Sequence, residues 1–404
     1  MQRFVTFFAI LITTVFVAGC GGGSSTATEH TVTYSVAELA PVPSNNLMGG
    51  AIQGGAITAK FTNYSVSTFA GTADTVGSDN NTATTPLTTA QFNRPMGITT
   101  DGINFYVTDY LNNAIRKIDP TNQIATTLDL KENDIAVTLN HPSDITTDGT
   151  FLYVVDSGNN VIRKIDPTTS IGIVTTIGSI TGIAGAVDST VAADVRFKTP
   201  FGITTDGKNL YVTDIGNHTI RRINISDHAV TTLAGYPDAP GSSDGTQSDD
   251  HTKSTARFNQ PAHITTNGKF LYMTDFMNRT IRQINTSTGE VITIAGKAGT
   301  LPGRDDADAT VGTEARFNQP NGITTDGTSL YVTDSYNNTI RKISLTAPYK
   351  VEKIAGITYS SGQEKSTSHF WLPVGITTDG TSLYVADSGN HVIRKIQYIN
   401  EDPS

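Results

Sequence analysis

Six times in this chain an aspartate stands seven residues before an arginine: Asp109/Arg116, Asp156/Arg163, Asp214/Arg221, Asp275/Arg282, Asp334/Arg341 and Asp387/Arg394. A carboxylate beside a guanidinium has the groups for acid–base or anion chemistry, but a catalytic reading would need one site built six times over. The pairs read better as scaffold, two charges buried together because neither is tolerated alone. Two other residues break a pattern. Where four copies of the surrounding sequence carry Gly97, Gly202, Gly322 and Gly375, the remaining two carry Asp144 and His263. A carboxylate and an imidazole, with Asn321 nearby in the pattern, are the residue types of a small polar or metal site. A divalent ion normally takes three or four ligands, and no third acidic residue accompanies these two. No bound metal or cofactor is expected.

All of these residues ride on a repeat. The segment FNQPNGITTDGTSLYVTDSYNNTIRKI from Phe317 recurs with small changes from Phe92, Leu139, Phe197, Phe258 and Phe370. Its prolines (Pro95, Pro142, Pro200, Pro261, Pro320 and Pro373) fall 47, 58, 61, 59 and 53 residues apart. A period of this size predicts a β-propeller with one blade per copy. Within a copy, GITTD reads as an inner strand, and an Asp-Gly pair (Asn267-Gly268 in the fourth) marks a tight hairpin. LYVTD, a four-residue turn and TIRKI follow. The outer strands read as VTTLAG at Val230, VITIAG at Val291, VEKIAG at Val351, ATTLDL at Ala125 and VTTIGS at Val174. In the second copy IAGAVDS at Ile183 competes for that role. Closing the hairpin puts Asp214 opposite Thr219 and Val212 opposite Arg221, so Asp214 and Arg221 become diagonal neighbours on one face.

The sixth copy has no outer strand after Ile396, whereas VSTFAG at Val66 precedes the first. Residues 66–70 are therefore expected to complete the last blade and close the ring by main-chain hydrogen bonds. The expected fold is all-β: a six-bladed β-propeller with four-stranded blades, closed by an N-terminal strand.

The ordered elements P-x-G-I, L-Y-V-x-D, N-x-I-R-K-I and V-x-T-x-A-G resemble the NHL repeat over roughly residues 66–398. The resemblance implies the propeller but little about activity, since six-bladed NHL propellers serve many functions. It also implies that His218 and His391, in the turns, are motif residues and not metal ligands. A site at Asp144 and His263 would resemble those of six-bladed lactonases and related hydrolases, whose metal sits at the channel mouth. In that alternative these two residues are the catalytic pair, but blades two and four are not adjacent, which leaves their contact open. The acidic run Asp305-Asp306-Ala307-Asp308 lacks the spacing and terminal glutamate of an EF-hand loop.

Residues shared by every copy are scaffold, so function is sought where single copies depart. Long inserts at 71–91, 235–257 and 296–316 open on the face that also carries the turns between second and third strands. Loops on a rigid scaffold are the usual home of binding. At those turns Tyr110-Leu111, Phe276-Met277 and Ser335-Tyr336 stand where the other blades have Gly158, Gly216 and Gly389. Exposed aromatic and apolar tips suit partner contact. They make this face, with Asn321 at the mouth, the expected seat of a protein or polysaccharide ligand.

The net charge of -9 argues against nucleic acid, which needs clustered Lys and Arg. The sole cysteine, Cys20, excludes a disulfide or thiolate zinc site within one chain. It closes a leader: Met1-Gln2-Arg3, an apolar run over 4–17, then Val17-Ala18-Gly19-Cys20, too short to span a bilayer comfortably. VAGC resembles a bacterial lipobox, which implies cleavage before Cys20, acylation of its thiol and membrane anchoring. Gly21 in the next position implies, by Gram-negative sorting rules, the outer membrane. The expected organisation is a signal peptide over 1–19, a flexible Gly/Ser/Thr-rich tether over 20–65, the propeller over 66–398 and a tail over 399–404. No G-x-S-x-G elbow, phosphate loop or HExxH motif appears. The expectation is an envelope lipoprotein with a binding propeller; the alternative is a metal-assisted lactonase or ester hydrolase.

Overall fold

The computed structural model describes residues 63–399, except 169–170, 180, 246–254, 300–307 and 358–368. The leader, Cys20 and most of the tether lie outside them.

Each copy of the repeat folds as an antiparallel sheet whose strands run from centre to rim in sequence order. In blade three these are Pro200–Thr205, Asn209–Asp214, Thr219–Asn224 and Val230–Gly235. The inner strands of neighbouring blades pack side by side around a full circle, the sixth against the first. Successive side chains of a strand point to opposite faces, and here both faces of a blade are covered by its neighbours. One core cluster joins Tyr211, Ile220 and Leu233 of blade three to Phe258, Ile264, Leu271 and Ile284 of blade four. This double burial explains why the second strands read as unbroken apolar runs such as LYV.

The turn after each inner strand is built by its Asp-Gly pair. Asp206 Oδ1 accepts the N–H groups of Lys208 and Asn209 at 2.9 and 2.6 Å, while Gly207 sits at φ +82°, a region glycine enters at no steric cost. Tyr211 donates its hydroxyl to Asp206 Oδ2 at 2.8 Å. In blade four Asn267 replaces the aspartate and reverses the bond, donating to Tyr272 Oη at 3.2 Å.

The ring closes as expected through residues 66–70, with Val66 opposite Ile396, Ser67 opposite Lys395 and Thr68 opposite Arg394. The closing strand spans Asn63–Ala70, three residues earlier than VSTFAG alone indicates. Phe69 locks it in place, edge-on to Phe105 of blade one at 5.2 Å and to Tyr384 of blade six at 4.9 Å.

One outer strand departs from expectation. ATTLDL does not run on as a single strand of blade one: Ile124–Thr127 stays there, whereas Asp129–Glu132 crosses to blade two and pairs in parallel with its outer strand, Ile171–Ile177. Gly172 is the physical reason. A Cβ at Gly172 would lie 2.9 Å from Leu130 Cδ2, so the missing side chain leaves the seat that buried Leu130 fills. With the short strand Ile135–Ala136, blade two becomes six-stranded. IAGAVDS at Ile183 forms no strand; Val187 makes an isolated bridge to Arg196.

Candidate functional site

Each repeat aspartate is the hub of a small polar network. Asp214 lies opposite Thr219, and Val212 opposite Arg221. Asp214 Oδ2 accepts from Arg221 Nη1 at 2.9 Å and Asn217 Nδ2 at 2.7 Å, while Oδ1 accepts the N–H of Lys198 at 2.8 Å. The ion pair recurs at Asp109/Arg116 (2.9 Å), Asp156/Arg163 (2.9 Å), Asp275/Arg282 (2.7 Å), Asp334/Arg341 (3.4 Å) and Asp387/Arg394 (2.9 Å). Burial pushes Asp214, Asp275 and Asp387 up to about 6 against the pull of their arginines. The arginine also stacks on the repeat phenylalanine, Arg221 lying 5.1 Å from the Phe197 ring centre. The sequence reading passed over the asparagine partner, although Asn112, Asn159, Asn217, Asn278, Asn337 and Asn390 each follow the aspartate by three residues.

Arg163 corrects the expectation that every pair is buried on both sides. Its side chain is 13 % exposed, although Asp156 beside it is fully buried. Arg163 reaches Asp156 through Nε, and its Nη1 donates to Thr176 Oγ1 and lies 3.7 Å from Glu132. The causes are local to blade two. Leu139 stands where the other copies have phenylalanine, so no aromatic ring covers this guanidinium. Glu132, brought in by the crossing strand, draws its outer end towards the rim.

The fully buried hubs also pin the long loops. Arg221 reaches Asp188 at 2.6 Å, Arg282 reaches Asp244 at 2.9 Å and Arg341 reaches Asp308 at 2.9 Å. In blade one Asn80 plays this part, accepting from Arg116 Nη2 at 2.9 Å. Asp308, from the acidic run, is thus a partner of an arginine. The loop face is therefore anchored in blades one, three, four and five by a buried cation.

The turn histidines are latches between blades. His218 and His391 sit at φ +59° and +61°, the left-handed region that Asn and His enter more readily than most residues. Gln260 donates its N–H to His218 Nδ1 at 3.1 Å, and Arg94 donates to His391 Nδ1 at 3.1 Å. Asn160 and Asn338 do the same for Thr199 and Leu372, at 2.7 and 2.9 Å. Both rings must be neutral at Nδ1 to accept, and burial holds both histidines below the ordinary value.

On the loop face the tips divide. Tyr110 and Phe276 are half-buried, Tyr110 packing on His141 at 4.8 Å, whereas Leu111, Met277 and Tyr336 are exposed, Tyr336 by 54 %. Gln319 of blade five donates to Met277 Sδ at 3.6 Å, tying that tip to its neighbour. The glycine tips have a steric cause: a Cβ at Gly216 would meet Lys198 O at 2.5 Å, and one at Gly389 would meet Trp371 O at 2.5 Å. In these blades the loop leading into the inner strand, not the tip, supplies the larger side chain. Trp371, 41 % exposed, thereby joins the rim. Aligning the residue after the repeat phenylalanine (Asn93, Lys198, Asn259, Asn318, Trp371) would have revealed it.

At the channel mouth Asp144 and His263 meet although blades two and four are not neighbours, and Asn321 of adjacent blade five joins the ring of His263. Each inner strand has a bulge here, and such bulges re-aim side chains. Gly202 of the intervening blade three has no room for a side chain, since a Cβ would lie 2.4 Å from Ala262 O and 2.7 Å from His263 Cα. Over this gap His263 Nε2 comes to 3.8 Å from Asp144 Oδ1, and its Nδ1 lies 2.8 Å from Asn321 Oδ1. Burial raises the pKa of Asp144, opposed by His263 and by backbone N–H groups of Ile203 and Ile145. Asn321 engages the ring nitrogen remote from Asp144, so the three side chains do not converge on one point. Among the described residues no three His, Cys, Asp or Glu side chains are grouped to hold a metal.

No family model matches the chain. NHL repeat-containing protein 2 of Homo sapiens is 28% identical over 157 residues, covering 37% of this chain and 21% of that protein. The Bos taurus protein of the same name is 30% identical over 142 residues, covering 34% and 19%. The chain thus spans about a fifth of the length of the curated relatives it matches. Among solved structures, a protein of unknown function from Bacteroides thetaiotaomicron superposes with a TM-score of 0.61 at 20% identity, over 83% of this chain and 76% of the other. Auxiliary nutrient binding proteins from B. thetaiotaomicron and Bacteroides ovatus give 0.60 and 0.59 at 16% and 18% identity, over 83% and 84% of this chain and 76% and 77% of theirs. At these identities the likeness is one of fold. With the repeat present in six blades, the chain is a six-bladed β-propeller whose repeats are similar to those of NHL repeat-containing protein 2.

Proposed function

We propose that this propeller is a binding platform that engages a protein or polysaccharide ligand on its long-loop face, at the bacterial cell envelope. One observation carries the reading: large exposed side chains (Leu111, Met277, Tyr336 and Trp371) gather on the face where single blades break the repeat. The rigid hubs beneath fix these groups in place, which lowers the entropic cost of binding. Two structural neighbours named as auxiliary nutrient binding proteins support a binding role. Envelope anchoring rests on Cys20 and its leader; among the described residues no helix is long and apolar enough to cross a membrane.

A variant carrying Leu111→Ser, Met277→Ser and Tyr336→Ser tests the face. These sites are solvent-exposed, so the fold is expected to persist. Retention on immobilised envelope polysaccharide or envelope protein should fall at least tenfold, and undiminished retention on both would refute the assignment. Cys20→Ser should move the protein from the membrane fraction to the soluble fraction.

A further inference from the structure

We propose that the channel mouth is a second binding site, built for a primary ammonium group held between Asp144 and His263. The donor and acceptor inventory carries this. His263 Nδ1 lies 2.8 Å from Asn321 Oδ1, an acceptor, so Nδ1 bears the ring proton. When the ring is neutral its lone pair lies at Nε2, which is buried and without a hydrogen-bond partner among the described residues. It faces Asp144 Oδ1 at 3.8 Å, beyond hydrogen-bond reach. The second carboxylate oxygen is occupied, Oδ2 accepting the N–H of Ile203 at 2.9 Å. Two acceptors thus face one another, and Nε2 has no donor among the described residues. Nearby hydroxyls are already committed: Ser143 Oγ donates to Phe201 O at 2.7 Å, Thr274 Oγ1 to Asn321 O at 2.6 Å and Thr213 Oγ1 to Ala262 O.

Charge makes the same demand. Every repeat aspartate has its arginine, but Asp144, 6 % exposed, has no Lys or Arg ion-pair partner among the described residues. An uncompensated buried carboxylate is costly. An ammonium brings one positive charge and three N–H donors, which serve Asp144 Oδ1 and His263 Nε2 together. A metal ion fits less well, because Asn321 is spent on the far ring nitrogen and only two protein ligands remain. Phe201 packs edge-on to His263 with ring centres 5.1 Å apart, giving apolar surface for the carbon stem of an amine. The central channel reaches both residues. An amino sugar and a lysine side chain both offer this group.

The test titrates n-butylammonium, glucosamine and Nα-acetyl-lysine amide into the full-length protein, with n-butanol as the neutral control. Calorimetry reads binding, and 15N shifts of the His263 ring read its place. Expected are saturable binding of n-butylammonium but not of n-butanol, and movement of Nε2 while Nδ1 stays. Binding should weaken at least tenfold in Asp144→Gly and in His263→Gly, which restore the residue of four other blades and keep the fold. Glucosamine bound more tightly than the lysine derivative assigns the amino-sugar source, and the reverse order assigns the peptide source. The proposal is overturned if no amine binds, if n-butanol binds equally, or if the glycine variants bind unchanged. It is equally overturned if His263 carries both ring protons in the amine-free protein, because the pair would then satisfy itself.

Discussion

A buried carboxylate in this molecule is rarely held by one partner: Asp275 accepts from Arg282, Asn278 and the N–H of Asn259 at once. Removing the arginine leaves a charge with no water to return to. Arg282→Met should therefore cost about 3–5 kcal/mol in chemical denaturation. Asp244, the loop partner of the same arginine, is half-exposed, and Asp244→Ala should cost only about 0–1 kcal/mol. Equal losses would contradict the hub account. The histidine latches give a pH signature. Their folded pKa values lie below the unfolded value of about 6.5. The unfolded chain thus binds protons first, and stability present above about pH 6.5 is lost as pH falls below it. Asp214, Asp275 and Asp387 act in the opposite sense, because their raised values let the folded state take up protons first. The histidine contribution is isolated by comparing wild type with His218→Asn/His391→Asn, which borrows the residue of blades one, two and five. The difference in denaturation midpoint should widen as pH drops from 7 to 5; a constant difference would contradict the latch. At this scale the Asp–Arg spacing was legible, since seven residues across a four-residue turn fix a diagonal contact. The partial exposure of Arg163 was not, because it depends on Glu132 arriving from another blade. Nor was the meeting of Asp144 with His263, which depends on Gly202 of a blade between them.

Strands reveal where local pattern decides and where it yields. The hairpins followed directly from Asp-Gly turns between short β-rich segments. The closing strand was legible because VSTFAG is the clause missing after Ile396, a relation of sequence to sequence that needs no geometry. Its half-buried anchor can be weighed: Phe69→Ala should lower stability by about 2–3 kcal/mol, under the range for a fully buried aromatic. Deleting the segment through Gly71 should lower the midpoint further, and a deletion mutant as stable as the intact chain would refute closure by this strand. The edge of blade two was misread because ATTLDL has strand composition throughout, and composition cannot say which sheet a strand joins. Gly172 decides it by leaving space for Leu130. Gly172→Val places atoms about 3 Å from Leu130 and Ile165, and should cost about 1–3 kcal/mol. Hydrogen exchange at residues 129–132 should then rise, and unchanged protection would contradict the seat.

The ring as a whole separates a uniform scaffold from two unlike faces. One face carries tight Asp-Gly turns, with Ile103 at one tip 70 % exposed; the other carries the long loops and the mouth of the channel. Six near-identical blades made the architecture legible from period alone. Function was legible only as departures from the period, and Trp371 escaped because it lies in the loop before the inner strand and not at a turn tip. By the proposed function, a ligand meets the long-loop face. Photo-cross-linking in intact cells tests it most directly, with benzoylphenylalanine placed singly at Leu111, Met277 and Tyr336 and, as the opposite-face control, at Ile103. One common cross-linked species is expected from the three loop-face positions and none from Ile103. Cross-links from Ile103 alone, or equal yields of the same species from both faces, would contradict it.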